Sequence, residues 1–225
     1  MKLADAPWVQ TRDSFSVVRA VFELGVNICY IISVGSEAAE RALRHTRQKA
    51  FRDLHRVSEI AEDVIELRYS GKQAPSDVDG MTEDLAEFST KKGVEKREWI
   101  DLNVDERIAT VGQHLGKEIL SDLHFARFMV YRHSSEVLHG THFGVQSCFG
   151  LTTPGTNTQA DALAHMGDQQ MMILMAANLT VLAVAKGFHV VYGHAVVSEF
   201  ATEAFDEIAE VFRRNKPHGG QSLET

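Results

Sequence analysis

The sequence predicts an all-α fold, a single-domain helical bundle of about six to seven helices. Three observations carry that prediction. Only four prolines, at 7, 75, 154 and 217, interrupt 225 residues. The long segments between them repeat apolar side chains at threes and fours instead of alternating, which is the period of a helix packed on one face. Capping residues and glycines stand where those periodic segments begin and end.

The first helix is expected over residues 13–33, ending near Gly35. Ser36, with Glu40 close behind, opens a second and long one, SEAAERALRHTRQKAFRDLHRVSEIAEDVIELRYSG. Its apolar positions Ala39, Leu43, Ala50, Leu54, Val57, Ile60, Val64 and Leu67 recur at threes and fours, and its dense Arg, Lys, Glu and Asp face reads as solvated surface. His45 and His55 fall on that surface. KQAPSDVDG reads as a loop, MTEDLAEFSTKKG as a short helix ending in Gly93, and Trp99 as a packing anchor in a link. Asp101 or Asn103 caps VDERIATVGQHLG, which leads through Gly116 into KEILSDLHFARFMVYRHSSEVLHG. THFGVQSCFGLTTPGTNTQ lacks helical period and reads as a long loop of the functional kind. Two helices over 159–188 and 194–214 complete a domain spanning 1–214, and residues 215–225 form a polar tail.

Composition narrows the function classes. With 44% hydrophobic and 24% charged residues the chain can bury one sizeable core, although two compact halves are also allowed. A net charge of −8 disfavours a broad electrostatic grip on nucleic acid, so phosphate chemistry has to be local. Cys29 and Cys148 lie in apolar surroundings without metal-ligand spacing, as in a reducing compartment. MKLADAPWVQTRD holds no apolar signal core. The run MMILMAANLTVLAVAKGF, within a stretch that has no charge between Asp168 and Lys186, falls short of the roughly 20 apolar residues of a span and contains Asn178 and Thr180, which points to a buried core helix with methionine filler. The expectation is a cytoplasmic protein with no membrane contact.

Two polar files break the apolar pattern. Within SFSVVRAVFELGVNICYI, Arg19, Glu23, Asn27 and Tyr30 share an arc of about 80° on a helix. One reading makes them the solvent edge of a mostly buried helix, with an ordinary i,i+4 pair worth a few tenths of a kcal/mol. The other makes them the lining of an internal polar pocket, in which every group needs a partner. The second file, YRHSSEVLHG, places Arg132, Ser135, Glu136 and His139 on one helical face, with Gly140 ending the helix beside the imidazole. Arginine offers a planar donor fork to phosphate, and histidine exchanges a proton near neutral pH. With both files considered, the first is expected to face Arg132 and His139.

At these residues the chain resembles the HEPN superfamily, compact helical domains many of which are metal-independent ribonucleases of bacterial defence and toxin–antitoxin systems. The resemblance rests on Arg132, the polar His133 and, after five intervening residues, His139. More narrowly, RxxFExxxNxxY (Arg19, Phe22, Glu23, Asn27, Tyr30) followed by YRxxSxxxHG (Tyr131, Arg132, Ser135, His139, Gly140) is similar to a family of bacterial HEPN-like proteins, over residues 12–150. The resemblance implies a homodimer in which two copies of the motif face one cleft, with an RNA substrate and an antitoxin or nucleotidyltransferase partner. It implies that His139 works as general acid or base, that Arg132 stabilises charge on the phosphorane, and that the product carries a 2′,3′-cyclic phosphate. No cofactor or metal is called for. His133 is left between a phosphate contact and a structural role, Ser135 and Glu136 are candidates to orient the imidazole, and Arg19 and Glu23 to close the pocket, with Asn27 and Tyr131 in support.

Other constellations carry less. His139 and His142 lack a third metal ligand, and GLTTPGTNT lacks the lysine and the preceding strand of a phosphate loop. Two further function classes remain open on the residues alone: a non-catalytic module binding a small anion or nucleotide, and a structural helical dimer in which both files are buried polar networks.

Overall fold

The computed structural model describes residues 7–60, 63–68, 74–148 and 158–214; the polar tail from Asn215, residues 149–157 of the Gly/Thr segment and residues 69–73 lie outside the described residues. The fold is an all-α helical bundle. Among the described residues there are eight α-helices: α1 (Pro7–Val34), α2 (Ser36–Asp53), α3 (Met81–Glu87), α4 (Val104–Leu115), α5 (Lys117–Leu138), α6 (His142–Cys148), α7 (Gln159–Tyr192) and α8 (Ala195–Arg214). One antiparallel hairpin, β1 (His55–Ile60) with β2 (Asp63–Arg68), and a 3₁₀ turn at Pro75–Asp77 accompany them. Packing divides the chain into two compact units, residues 1–33 with 103–225 and residues 34–102.

The larger unit is built on apolar stripes. Phe15, Val18, Phe22, Val26 and Cys29 of α1, Ile108 and Val111 of α4, Ile119, Leu123, Ala126 and Val130 of α5, and Met166, Ile173, Ala176, Leu179, Leu182 and Ala183 of α7 are all buried. Burial drives the Cys29 thiol pKa up to about 12, so this cysteine is inert in the folded chain. The helix ends follow the capping rules. Asn103 accepts the Glu106 amide at 3.0 Å while Glu106 accepts the Asn103 amide at 2.7 Å, a reciprocal capping box that opens α4. Thr158 and Asp161 do the same for α7. Gly116, at φ 104°, lets the chain turn from α4 into α5.

α1 and α7 approach so closely that a methyl group at Gly25 would collide with Thr180 Cγ2. The Thr180 rotamer is held by its hydroxyl, which donates to the Ala176 carbonyl at 2.7 Å. Both helices are also long and apolar enough to cross a membrane, over Gln10–Val34 and Gln159–Tyr192, and 33% and 44% of their most apolar windows are buried inside the chain. The charge-free run beginning at Met171 is thus the second half of a 34-residue helix, and its length does not set it apart from a span.

The smaller unit departs from the sequence-based expectation in two ways. The long second helix stops at Asp53, and the segment after it pairs as a hairpin with Val57 opposite Glu66 and Ser58 opposite Ile65. Val57, Ile60, Val64 and Ile65 are β-branched and lose rotamer freedom in a helix, whereas each fits a pleated strand; their spacing satisfies the helical period only by coincidence. Second, the charged face of α2 is only partly a solvated surface: Glu37, Glu40, Arg47 and Lys49 are exposed, whereas Arg41, Arg44 and Arg52 are half-buried. Leu43 points outward, 69% exposed, while Ala38, His45 and Gln48 are buried. Arg47 donates to the buried Asp84 carboxylate at 2.6 Å, Arg44 to Glu87 at 3.1 Å, and Arg52 to Gln48 at 2.6 Å and Ser89 at 2.8 Å. Asp84 and Glu87 sit one turn apart on α3 and present two carboxylates to α2, so the polar face is the one that finds partners. Trp99 is buried, as a packing anchor should be, and its carbonyl accepts Arg41 Nε at 2.8 Å.

His45 is therefore a core residue rather than a surface one. Its ring meets Phe88 edge-on at 4.9 Å and its Nε2 lies 3.4 Å from the Lys96 carbonyl. Burial holds its pKa below the ordinary 6.5, against the opposing pull of that carbonyl.

Two predictions follow from this packing. Gly25→Ala gains about 1 kcal/mol of helix propensity but inserts a methyl into a full interface at a cost of roughly 1–3 kcal/mol. The expected net is a lower thermal midpoint, restored in the Gly25→Ala, Thr180→Ser double variant; an unchanged midpoint in the single variant would show the interface to be looser than described. For His45, the unfolded chain binds the proton more readily than the folded one. Its contribution is thus present above the ordinary value and lost as the pH falls below it. Urea midpoints measured at pH 7.5 and 5.5 are expected to drop in the parent and to drop less in His45→Gln.

Candidate functional site

α5 buries Ile119, Leu123, Ala126, Val130 and Ser134 along one face. The opposite face is left in solvent, with Phe125 57% and Phe128 83% exposed and Arg132 and His139 also exposed. Next to this face an open cleft of about 520 Å³ is bounded by Arg127, Phe128, Met129, Tyr131, Arg132 and His133 of α5 and by Met172 of α7. The stretch LHFARFMV is thus only half core.

The electrostatics of the cleft are set by three guanidiniums. Arg19 of α1 lies 4.7 Å from the centre of the Tyr131 ring and Arg127 5.3 Å from it. Phe22 meets the same ring edge-on at 6.1 Å. Each of these cations is also held by a carboxylate: Arg19 Nε donates to Glu23 at 2.9 Å, and Arg127 Nη2 to Asp105 of α4 at 2.7 Å. Arg127 Nε is buried without a hydrogen-bond partner. Arg132 differs from both. Its guanidinium lies 5.9 Å from the centre of the Phe143 ring and has no carboxylate partner among the described residues.

His133 turns inward. Its ring stacks on Phe143 at 6.5 Å and tilts against Phe15 at 6.1 Å, and its Nδ1 is buried without a hydrogen-bond partner. Burial, reinforced by the nearby Arg132 and His165, pushes its pKa below the ordinary 6.5. At neutral pH the ring is uncharged and adds no positive charge to the cleft. Elsewhere in the larger unit, His165 and Gln169 of α7 lie 3.2 and 2.9 Å from the Ser147 carbonyl at the end of α6. α6 itself occupies the start of the segment expected to be a loop. Its docking depends on Gly144, where a Cβ would stand 2.5 Å from the Glu136 carbonyl oxygen.

The predicted site residues are distributed as follows. Arg132 lines the cleft. His139 caps the C-terminus of α5, its amide donating to the Ser135 carbonyl at 3.0 Å, and it is not among the cleft-lining residues. Seven residues separate the two, about 10 Å along the helix axis. Glu136 accepts the Thr141 hydroxyl at 2.6 Å, so that carboxylate secures the turn into α6. The α1 file splits. Arg19, paired with Glu23, reaches Tyr131, whereas Asn27 accepts a hydrogen bond from Arg107 of α4 and Tyr30 is buried. The hydrogen bonds and ring contacts of Arg19, Glu23 and Asn27 go to one another, to Tyr131 and to Arg107, and not to Arg132 or His139. Among the described residues no three His, Cys, Asp or Glu side chains come together as a metal site.

Arg127, Phe128 and Met129 were not singled out from the sequence. For Phe128 a signal existed: it precedes Arg132 by four residues, so a helix that shows Arg132 to solvent shows Phe128 as well. Met172, which reads from the sequence as core filler, lines the cleft instead.

No curated protein and no solved structure matches the chain. The model of a family of unknown function, DUF5677, matches residues 10–156, well over half of the sequence, and takes in α1 and all of α5. On that match the chain belongs to the DUF5677 family.

Proposed function

We propose that the chain is a HEPN-like, metal-independent endoribonuclease, cytoplasmic and homodimeric, serving in bacterial defence or in a toxin–antitoxin pair alongside an antitoxin or a nucleotidyltransferase. The observation that supports this reading most is Arg132, an exposed guanidinium without a carboxylate partner among the described residues, at the wall of an open cleft and on the same helical face as the exposed His139. Arg132 receives the non-bridging phosphate oxygens. His139 takes the proton from the ribose 2′-hydroxyl or delivers one to the departing 5′-oxygen. The 2′-oxygen bonds to phosphorus as the bond to the 5′-oxygen breaks, which leaves a 2′,3′-cyclic phosphate and a 5′-hydroxyl. The separation of about 10 Å along α5 fits a site in which two copies of the motif face one cleft better than a site within one chain.

A second reading, a non-catalytic module that binds an anion or a nucleotide, is favoured by one observation: the histidine that lines the cleft is His133, not His139. RNA cleavage in the presence of a chelator separates the two. For the ribonuclease, Arg132→Ala and His139→Ala each reduce the rate by about 10²-fold or more, and a cyclic phosphate terminus is found. Intact RNA with and without chelator, or a His139→Ala variant as fast as the parent, overturns the enzyme; RNA or anion binding that depends on Arg132 alone then favours the second reading.

A further inference from the structure

Phe128 is the most exposed large hydrophobic side chain described, at 83%, and neither catalysis nor folding uses it. It stands at the cleft between two methionines and two guanidiniums. Met129 and Met172 give polarizable apolar walls, and Arg127 and Arg132 flank the ring at positions −1 and +4. A bare inorganic anion has no use for the ring and the thioethers. An apolar ligand has no use for the unpaired guanidinium. The lining suits a molecule with a flat apolar face at one end and a negative charge at the other.

We propose that this cleft is a nucleotide subsite, in which the base stacks on Phe128 against Met172 and the phosphate is held by Arg132. The proposal rests on the reading of Arg132 as an anion-binding group given above, and not on catalysis. A volume of about 520 Å³ is of the size that ligand pockets have. Side chains four apart on a helix have Cβ atoms about 5–6 Å apart, so ring and guanidinium are neighbours, as a base and its phosphate are across one ribose. Stacking on an exposed ring tolerates any base, which fits a site with few groups to read base edges. A second copy of the chain seated in the cleft itself is a poorer occupant. Unlike a dimer whose two motifs face an open cleft, it would bury the Arg132 charge, and Glu136, the carboxylate on the same face, is already engaged by Thr141. The nucleotide can be free or one unit of a single strand.

The test uses the full chain and three probes: inorganic phosphate and adenosine 5′-monophosphate by calorimetry, and a labelled single-stranded RNA hexamer by fluorescence anisotropy. Phe128→Ala, a change at an exposed position, is expected to weaken the nucleotide, the hexamer or both by about tenfold and to leave phosphate unaffected, whereas Arg132→Ala weakens every probe that binds. Binding of the hexamer alone assigns the subsite to a strand, and binding of the monophosphate assigns it to a free nucleotide as well. The proposal is overturned if neither nucleotide probe binds the parent, if Phe128→Ala binds both as the parent does, or if that substitution instead dissociates a dimer in sedimentation. Absence of RNA cleavage together with Phe128-dependent binding removes the ribonuclease and keeps the subsite; cleavage indifferent to Phe128 does the reverse.

Discussion

The burial of one face of α5 is the constraint on which the rest depends. Ile119, Leu123, Ala126 and Val130 are all covered, and burying a large aliphatic side chain is worth about 1.5–3 kcal/mol. Turning the helix to shelter Phe128 would forfeit several of those contributions for one. Because side chains advance by about 100° per residue, the same choice sends Phe125, Phe128, Arg132 and His139 to water. The exposed face that carries the proposed site is thus the remainder of a packing decision.

Charge pairing then selects among the exposed groups. Arg19 and Arg127 clasp Tyr131 from two helices, but each is neutralised locally, by Glu23 and Asp105. Arg132 is left without such a partner among the described residues. In a chain of net charge −8, an uncompensated guanidinium at a cleft wall is a local feature and not a field of the whole molecule, as a specific anion site requires. His133 beside it is kept neutral by burial, so the positive character of the cleft resides on arginine.

The two compact units solve the core problem differently. The larger one uses apolar stripes on long helices. The smaller one, 34–102, buries Ala38, Met81, Phe88 and Trp99 among its described residues and is knit by arginines of α2 against Asp84 and Glu87 of α3. Such a lattice is strongly directional, since removing one partner leaves the other unpaired. The β1–β2 hairpin beyond α2 exposes Val64 and Ile65.

Periodicity and capping chemistry alone determined the helices of the larger unit other than α6, a cap for α4 at Asp101 or Asn103, the breaks at Gly35 and Gly116 and the alignment of Arg132 with His139, because each follows from residues within one or two turns. The hairpin escaped that reasoning, since Val57, Ile60, Val64 and Leu67 recur at threes and fours, the spacing of a helix, although the segment pairs as two strands. His45 escaped it too, because a polar side chain is buried or not according to partners on another element, here Phe88 and Lys96. Only the tertiary structure decided that Asn27 turns to Arg107, that Glu136 is taken by Thr141, that His133 lies between two phenyl rings and that Met172 completes the cleft. Those are contacts between residues distant in sequence or across a turn whose geometry no local pattern encodes, and they determine which polar groups stay free for a ligand.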